Sequence, residues 1–197
     1  MQSPRITEGS TTSPPPASNT PALLLGPFYP VTKPDPVSAC LVREDIAPLA
    51  SHPAALDVAL RVINRAGRPV RGALVEVWHA DPQGRYRHDS APDHEHALPG
   101  FVGYGCARSD DDGCAVFHTL MPGPYENGGI ARAPHVHVQV TGRIDRLVTQ
   151  MFFPGEPGNA TDRWYRAASR PGQLLGTWAD AARARRRIEW SIVIANG

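Results

Sequence analysis

The chain has 197 residues, and its 20 basic and 19 acidic side chains leave a formal net charge of +1 at pH 7. This balance offers no long-range field to attract a polyanion, so no nucleic acid is expected as a partner. The 21 prolines and 18 glycines argue against long helices and nearly exclude a helical bundle. Neither a membrane-spanning apolar run nor a signal peptide is visible, which predicts a soluble, cytoplasmic protein with no membrane partner.

The rarer side chains add two observations. The three cysteines are an odd number without Cys-x-x-Cys spacing, which disfavours both a disulfide framework and a cysteine zinc site. Lys33 is the only lysine among the 20 basic side chains. We attribute this bias first to coding and only second to function.

The N-terminal segment, residues 1–21, is predicted to be a disordered tail. It is rich in Pro, Ser and Thr and almost free of apolar side chains, so burial cannot offset the entropy lost on ordering. One folded domain is therefore expected over residues 22–197, with its first apolar cluster at Leu23.

Short β-strands joined by turns are predicted along most of this domain. Leu56, Val58, Leu60 and Val62 recur with a period of two, which is typical of a strand with one buried face. Further strands are predicted at residues 73–78, 101–107, 115–120, 135–140, 146–153 and 188–194. The pattern indicates an all-β sandwich or barrel.

Two kinds of connecting element are predicted between these strands. Residues 109–113 read as a hairpin turn, because they lack the ligand spacing of a calcium loop. Short helices are predicted over residues 161–170 and 177–187. The second has Asp180 near its start and arginines at its end, as the helix dipole favours.

The sharpest local motif is the His-x-His of His135 and His137. On a strand, residues two apart share a face about 6.5 to 7 Å apart, so both imidazoles can converge on one ion. The motif also occurs by chance and in structural sites, so alone it leaves metal binding open. A second pair, His94 and His96, lies in a polar stretch predicted to be a mobile loop, exposed or shaping a pocket entrance.

Two tyrosines lie near the same predicted pocket. Tyr86 follows the strand that ends at Trp78, and Tyr125 precedes His135 by ten residues. Because a phenol has a pKa of about 10, it binds at neutral pH only a strong, hard Lewis acid, which favours Fe(III) over zinc. Each tyrosine taken singly is better explained as an ordinary aromatic residue in a turn, with a buried ring and a solvated hydroxyl.

Taken together, these motifs resemble the intradiol ring-cleaving dioxygenases, non-haem Fe(III) enzymes of aromatic catabolism that act on catechol, hydroxyquinol or protocatechuate. The resemblance implies a transthyretin-like (prealbumin-like) β-sandwich with short helices and long loops. Its motifs, within residues 26–155, are Gly26-Pro-Phe-Tyr-Pro30, Ala73-Leu-Val-Glu-Val-Trp-His-Ala80, Gly84-Arg-Tyr86, Pro122-Gly-Pro-Tyr125, Arg132-Ala-Pro-His-Val-His137 and Thr149-Gln150.

The resemblance also implies roles for individual residues. The ferric ion would be held by four protein ligands and a solvent molecule, the protein ligands being Tyr86, Tyr125, His135 and His137. Tyr125, Arg132 and Gln150 would be catalytic, and Pro27, Tyr29 and Arg132 would bind the substrate. The alternatives are an ordinary salt bridge for Arg132 and a packed turn for Pro27 and Tyr29.

The substrate and the partners remain open at this point. The resemblance implies a catechol-type diol and O2 as substrates, with ring opening to a cis,cis-muconate. Glu126 and Asn127 stand where protocatechuate enzymes often have an aromatic residue, which weakens an assignment to protocatechuate. The expected lack of the N-terminal helical dimerisation domain of catechol dioxygenases makes the chain more similar to protocatechuate-type catalytic subunits. A homo-oligomer, or a hetero-oligomer with a related chain, is expected.

Two other functions compete with this hypothesis. A non-catalytic transthyretin-like sandwich used for binding would share the hairpin pattern around residues 62–77, so the fold cannot exclude it. A zinc hydrolase built on the histidines would hold zinc and consume no O2. The metal content and colour of the protein distinguish all three.

Overall fold

The computed structural model describes residues 17–33, 38–43, 49–179 and 185–197. These residues form strands and only short helices, as predicted. The strands are β1 (Ala55–Asn64), β2 (Leu74–Trp78), β3 (Tyr104–Arg108), β4 (Cys114–Leu120), β5 (Tyr125–Asn127), β6 (Ile130–Arg132), β7 (His135–Thr141), β8 (Arg146–Phe152), β9 (Thr177–Trp178) and β10 (Arg186–Ile194). The helices are α1 (Arg163–Ala167) and four 3-10 turns at Leu49–Ser51, His94–His96, Pro157–Ala160 and Pro171–Leu174.

Two four-stranded sheets build the domain. One has the order β4-β1-β10-β9, in which β1 and β10 run parallel, and the other has the order β3-β2-β7-β8 and is antiparallel throughout. Strands β5 and β6 form a separate hairpin. The predicted all-β sandwich is confirmed.

Period-two alternation gives each sheet a core face. From β1, Leu56, Val58 and Leu60 join a single apolar cluster with Val75 of β2 and Val138 of β7. The alternate residues of β2 and β7 point to the other face of their sheet. That outer face is also buried, because loops cover it, and it carries a second, smaller aromatic cluster around Trp78 and Tyr86.

The helix predicted over residues 177–187 is wrong at both ends. Thr177 and Trp178 pair with β10, and Arg186 already belongs to that strand; residues 180–184, with Asp180, lie outside the described residues. The guanidinium of Arg186 stacks on the Trp178 ring at 4.2 Å. Strand pairing in the sheet has overridden the local helical charge pattern. The other predicted helix is confirmed in part, as the five-residue α1.

The turn at residues 109–113 is confirmed, but it does not close a hairpin. Its Asp110 carboxylate accepts hydrogen bonds from the backbone N–H groups of Asp112 and Cys114. The strands that it joins, β3 and β4, belong to different sheets. The turn therefore carries the chain across the sandwich.

The docked chain begins earlier than expected. Ala17 donates a backbone hydrogen bond to Arg65, and Thr20 is buried and donates one to Val193. Residues 17–21 thus pack on the domain rather than continuing the predicted tail, and residues 1–16 lie outside the described residues. No helix in the described part of the chain is long and apolar enough to cross a membrane.

Candidate metal centre

The four predicted ligands converge on the outer face of the second sheet. His135 and His137 are alternate residues of β7, and His137 lies opposite Trp78 of β2 and Gln150 of β8. Tyr86 and Tyr125 approach the same face from loops. The alternation that sends the valines of β7 into the core therefore sends both imidazoles to this site.

The two histidines face each other through the same ring atom. Their Nε2 atoms are 3.2 Å apart, and both side chains are 2% exposed. The Nδ1 of His135 lies 2.7 Å from the carbonyl oxygen of Ala133, which can only accept a hydrogen bond. His135 therefore carries its proton on Nδ1 and presents a lone pair on Nε2.

Burial keeps both imidazoles neutral. Loss of solvent lowers the pKa of His135 and of His137 below the ordinary value, and the charge of Arg132 acts in the same direction. Neutral imidazole is the form that binds a metal ion. The pair is therefore ready to coordinate without first losing a proton.

The His137 ring is supported from two sides. Trp78 stacks on it with ring centroids 4.9 Å apart and an angle of 10° between the planes. Gly26 lies so close that a Cβ there would come within 2.8 Å of the His137 Cε1. Any larger residue at position 26 would push the His137 ring away, so this close contact requires glycine there.

The two tyrosine loops interlock through their glycines. A Cβ on Gly84 would lie 2.2 Å from the carbonyl oxygen of Pro124, and one on Gly123 would lie 2.4 Å from that of Pro82. The buried Asp81 carboxylate holds the first loop, accepting hydrogen bonds from the backbone of Gln83 and Arg85. The motif glycines thus let the two backbones touch and so bring Tyr86 to Tyr125.

The tyrosines complete the cluster. Their rings meet edge to face with centroids 5.2 Å apart, and Tyr86 lies 6.4 Å from the His137 ring while Tyr125 lies 5.7 Å from that of His135. Burial raises the pKa of both phenols, opposed at Tyr125 by the charge of Arg132. The buried Tyr86 hydroxyl has no partner within hydrogen-bond distance among the described residues, although the Tyr125 hydroxyl is near enough to raise its pKa further.

An unpaired buried hydroxyl is costly unless something else binds it. Here it stands in a cluster with a second phenol and two neutral imidazoles whose Nε2 atoms face each other. Phenolate oxygens and imidazole nitrogens together suit a hard, strongly Lewis-acidic ion such as Fe(III). The donor set therefore fits the predicted metal.

Arg132 links the cluster to a second buried group. Its Nε donates to Asp162 at 2.9 Å, one terminal nitrogen donates to the Tyr125 hydroxyl at 3.3 Å, and the other donates to Gln150 at 2.7 Å. Arg132 and Gln150, both of which the resemblance implies to be catalytic, therefore meet beside Tyr125. The salt bridge considered as an alternative for Arg132 is also present, to Asp162.

Known proteins share this sequence and fold. A family model described as Dioxygenase matches residues 51–196. The protocatechuate 3,4-dioxygenase beta chain of Burkholderia cepacia is 43% identical over 108 residues, covering 52% of this chain and 46% of the relative. Catechol 1,2-dioxygenase 1 of Acinetobacter lwoffii is 33% identical over 159 residues, covering 70% and 47%. The chain belongs to the intradiol ring-cleavage dioxygenase family.

A solved structure extends the comparison to nearly the whole chain. The dioxygenase domain of a dioxygenase carbohydrate-binding protein fusion from Streptomyces sp. SirexAA-E superposes with a TM-score of 0.69 at 27% identity, covering 91% of this chain and all of that domain. This chain matches all of that Streptomyces domain, but it spans only about half the length of the two curated dioxygenases compared above.

The predicted substrate residues Pro27 and Tyr29 are placed differently from each other. Pro27 is exposed. The Tyr29 ring packs edge-on against Trp78, and its hydroxyl donates to Glu76, one layer away from the metal ligands. The residue between them, Phe28, is buried against Tyr86, with ring centroids 4.7 Å apart.

Asp162 is the main site residue that sequence reasoning missed. It is buried, accepts the hydrogen bond of Arg132, and also caps α1 by accepting from Trp164 and Tyr165. An aspartate before a short helix is a recognisable capping signal. The contact with Arg132, 30 residues away, has no local signal.

The second His-x-His is separate from these ligands. His94 and His96 are exposed on their 3-10 turn. The adjacent Asp93, Pro92 and Ala91 line a cavity that also touches Tyr86. The predicted exposure of this pair is thus confirmed, with its neighbours at the edge of the cavity.

Proposed function

We propose that this chain is an Fe(III)-dependent intradiol dioxygenase. It would open the ring of a catechol-type diol between the two hydroxylated carbons, with both atoms of O2 entering a cis,cis-muconate-type product. The observation that carries the proposal is the convergence of two neutral, facing imidazoles with two phenols, of which Tyr86 is buried and without a hydrogen-bond partner among the described residues. A bound ferric ion would supply the Lewis acidity that binds both diol oxygens as anions and activates the ring toward O2.

Tyr125 is suited to move a substrate proton. Its hydroxyl lies beside the Arg132 guanidinium, at 3.3 Å, so a negative charge on this oxygen is stabilised when it is ionised. Burial raises the pKa of the same phenol, so the ionised Tyr125 oxygen readily accepts a proton. Tyr125 can therefore act as a positioned base toward a diol hydroxyl.

Arg132 supplies a fixed positive charge next to the reacting ring. Asp162 and Gln150 hold its guanidinium in place, so no reorganisation is needed when negative charge develops on the substrate. The residue is only 8% exposed, and its charge is therefore weakly screened. Three of its five N–H donors are engaged by Asp162, Tyr125 and Gln150, which leaves two for an oxygen of the substrate.

A cavity opens beside the two tyrosines and can accommodate the ring of the substrate. It has a volume of about 290 Å³, suited to a single aromatic ring, and both tyrosines and Phe28 line it. Its charged lining residues are Arg85, Asp93 and Glu126. Two carboxylates against one guanidinium favour an uncharged diol over a carboxylated one such as protocatechuate.

The assembly is part of the same proposal. Relatives include both the alpha and the beta chain of protocatechuate 3,4-dioxygenase. We expect this chain to associate with copies of itself or with a related chain, and light scattering of the purified protein measures which.

The decisive experiment combines metal content, colour and product. Iron-loaded protein should show a visible tyrosinate-to-iron charge-transfer band, consume O2 with catechol, and yield a product equal in mass to diol plus O2. With ¹⁸O2, both labelled atoms should appear in that product. Tyr125→Phe should alter the band and slow turnover. A colourless protein without iron would instead support the binding module, and a zinc protein without O2 uptake would support the hydrolase.

A further inference from the structure

A buried carboxylate lies behind the metal ligands and takes no part in the proposed chemistry. Glu76 is 2% exposed and belongs to β2, two residues before Trp78, on the same outer face of the sheet. Trp78 stacks on His137. Glu76 is therefore one residue layer removed from a metal ligand.

Four donors compensate the Glu76 charge. Its Oε1 accepts from Tyr29 at 2.9 Å, Tyr104 at 2.7 Å and Lys33 at 2.5 Å. Its Oε2 accepts from Gln139 at 2.5 Å. A buried carboxylate is tolerated only with such complete pairing, and removing a single partner then has a large effect.

Lys33 is placed to pair with this carboxylate in a way that suits a compact ammonium group. Its Nζ lies 5.5 Å from the centroid of the Tyr29 ring and 5.6 Å from that of Tyr104. Both of these tyrosines donate to the same carboxylate oxygen. Lys33, the only lysine in a sequence whose other 19 Lys+Arg residues are arginines, thus makes the ion pair with Glu76.

The segment that carries Lys33 also covers the metal ligands. We call residues 26–33 the cover loop. Gly26 backs the His137 ring, and Phe28 packs on Tyr86 and, at 6.4 Å, on Tyr125. Tyr29 packs on Trp78. One loop therefore contacts three of the four predicted ligands, and two of its side chains, Tyr29 and Lys33, bind Glu76.

We infer that Lys33 and Glu76 are positioning residues, whose ion pair fixes the cover loop against the metal ligands and so slows loss of the metal. The inference rests on the proposed function, because it concerns the same ferric site. Neither residue touches the ligands directly. Both act through Gly26 and Phe28, whose contacts with the ligand rings depend on where the cover loop lies.

The test uses iron-loaded protein without substrate. Lys33→Met removes the ammonium charge at a side chain that is 42% exposed, and Glu76→Gln keeps one acceptor oxygen while removing the carboxylate charge. Each should transfer iron to EDTA about tenfold faster than the wild type, the scale found for residues that support metal ligands. Lys33→Arg should restore most of the slow rate.

Controls separate this effect from general loosening. Arg71→Met removes an exposed ion pair with Asp111 and should leave the rate of iron transfer unchanged. The double variant Lys33→Met with Glu76→Gln should lose iron no faster than either single variant, because the pair acts as one unit. Limited proteolysis gives a metal-free readout: chymotrypsin should cut after the buried Phe28 faster in Lys33→Met and in Glu76→Gln than in the wild type.

Two outcomes would overturn the inference. Equal rates of iron transfer in the wild type, Lys33→Met and Arg71→Met would show that the ion pair does not secure the metal. Equal cleavage after Phe28 in the wild type and in both variants would show that the pair does not restrain the loop. A wild type that retains iron but consumes no O2 would refute the proposed reaction while leaving both measurements valid.

Discussion

The Nε2 atoms of His135 and His137 lie 3.2 Å apart in a pocket that keeps both rings neutral. The two phenols beside them behave in the opposite way, since burial raises the pKa of Tyr86 and of Tyr125. The imidazoles are therefore available at any pH near neutrality, whereas each tyrosine must release a proton to bind an ion. Proton release by the tyrosines, and not by the histidines, should limit metal loading.

This relationship predicts the pH dependence of iron affinity. Because both phenols lose a proton on binding, the affinity for Fe(III) should rise by about two decades per pH unit near neutrality, after correction for iron hydrolysis. Tyr86→Phe should reduce the slope to about one. Competition with a chelator of known affinity, at a series of pH values, measures it. The same slope in wild type and Tyr86→Phe would mean that Tyr86 is not a ligand.

The contact between the two tyrosine loops predicts the effect of a single methyl group. Gly84→Ala would place a Cβ 2.2 Å from the Pro124 carbonyl oxygen, at a backbone φ of +82° that disfavours any side chain. We expect the variant to lose about 2 kcal/mol or more of unfolding free energy and most of its iron binding. Urea unfolding and metal analysis measure these effects.

Gly172→Ala is the matched control for that prediction. A Cβ there would meet nothing within 4 Å, and the residue has no positive φ. It should bind iron as the wild type does. If Gly84→Ala matched this control in both stability and iron binding, the packing of the two loops would not be what brings Tyr86 to the site.

The strands and the shared face of His135 and His137 could be predicted from the sequence because their signals are local, whereas Tyr86 and Tyr125 followed from the family resemblance. Alternation identified β1, and the His-x-His spacing of β7 put both imidazoles on one face. The roles of Glu76 and Asp162 could not be predicted in this way. A glutamate inside a strand indicates an exposed face, and only the cover loop, whose Tyr29 lies 47 residues away, turns that face into a buried one.

The error at residues 177–187 has the same origin. The arginines near its end fit a helix C-terminus, but Arg186 and Arg187 pair instead with Leu56 and Asp57 in the parallel β1–β10 ladder. Such a pairing joins segments 130 residues apart in the sequence. The two paired strands are too far apart in the sequence for a local pattern to reveal their pairing. The local charge pattern therefore favoured a helix.

The Arg132–Asp162 pair predicts how stability depends on pH. Burial acts to raise the pKa of Asp162, but hydrogen bonds from backbone N–H groups and from Arg132 outweigh it and lower the pKa below its ordinary value. The folded state thus prefers the ionised form. The stability that it contributes is complete above pH of about 4 and is lost as the pH falls further, through the lower folded pKa.

Asp162→Asn should remove the part of the unfolding free energy that is lost at acidic pH. With the carboxylate gone, Arg132 is left buried without its counter-charge, and we expect a loss of about 3 kcal/mol at neutral pH. Urea unfolding between pH 3 and 7 measures both effects. Asp111→Asn, in an exposed ion pair, should leave the profile as in the wild type. A variant at Asp162 with the wild-type profile would contradict the assignment.

The charges around the cavity predict substrate preference. Glu126 is exposed and lines the cavity beside Tyr125, where its carboxylate would repel a second carboxylate on the substrate. Wild-type kcat/KM should therefore be higher for catechol than for protocatechuate, and Glu126→Gln should narrow the ratio by a few-fold without changing catechol turnover. Because salt screens the repulsion between the two carboxylates, raising the ionic strength should also lower the wild-type ratio of kcat/KM for catechol to kcat/KM for protocatechuate. Glu156→Gln, at a partly buried acid in the loop before the Pro157–Ala160 turn and outside the lining of this cavity, is the control. A wild type that prefers protocatechuate, with a ratio insensitive to both Glu126→Gln and salt, would show that another group binds the carboxylate.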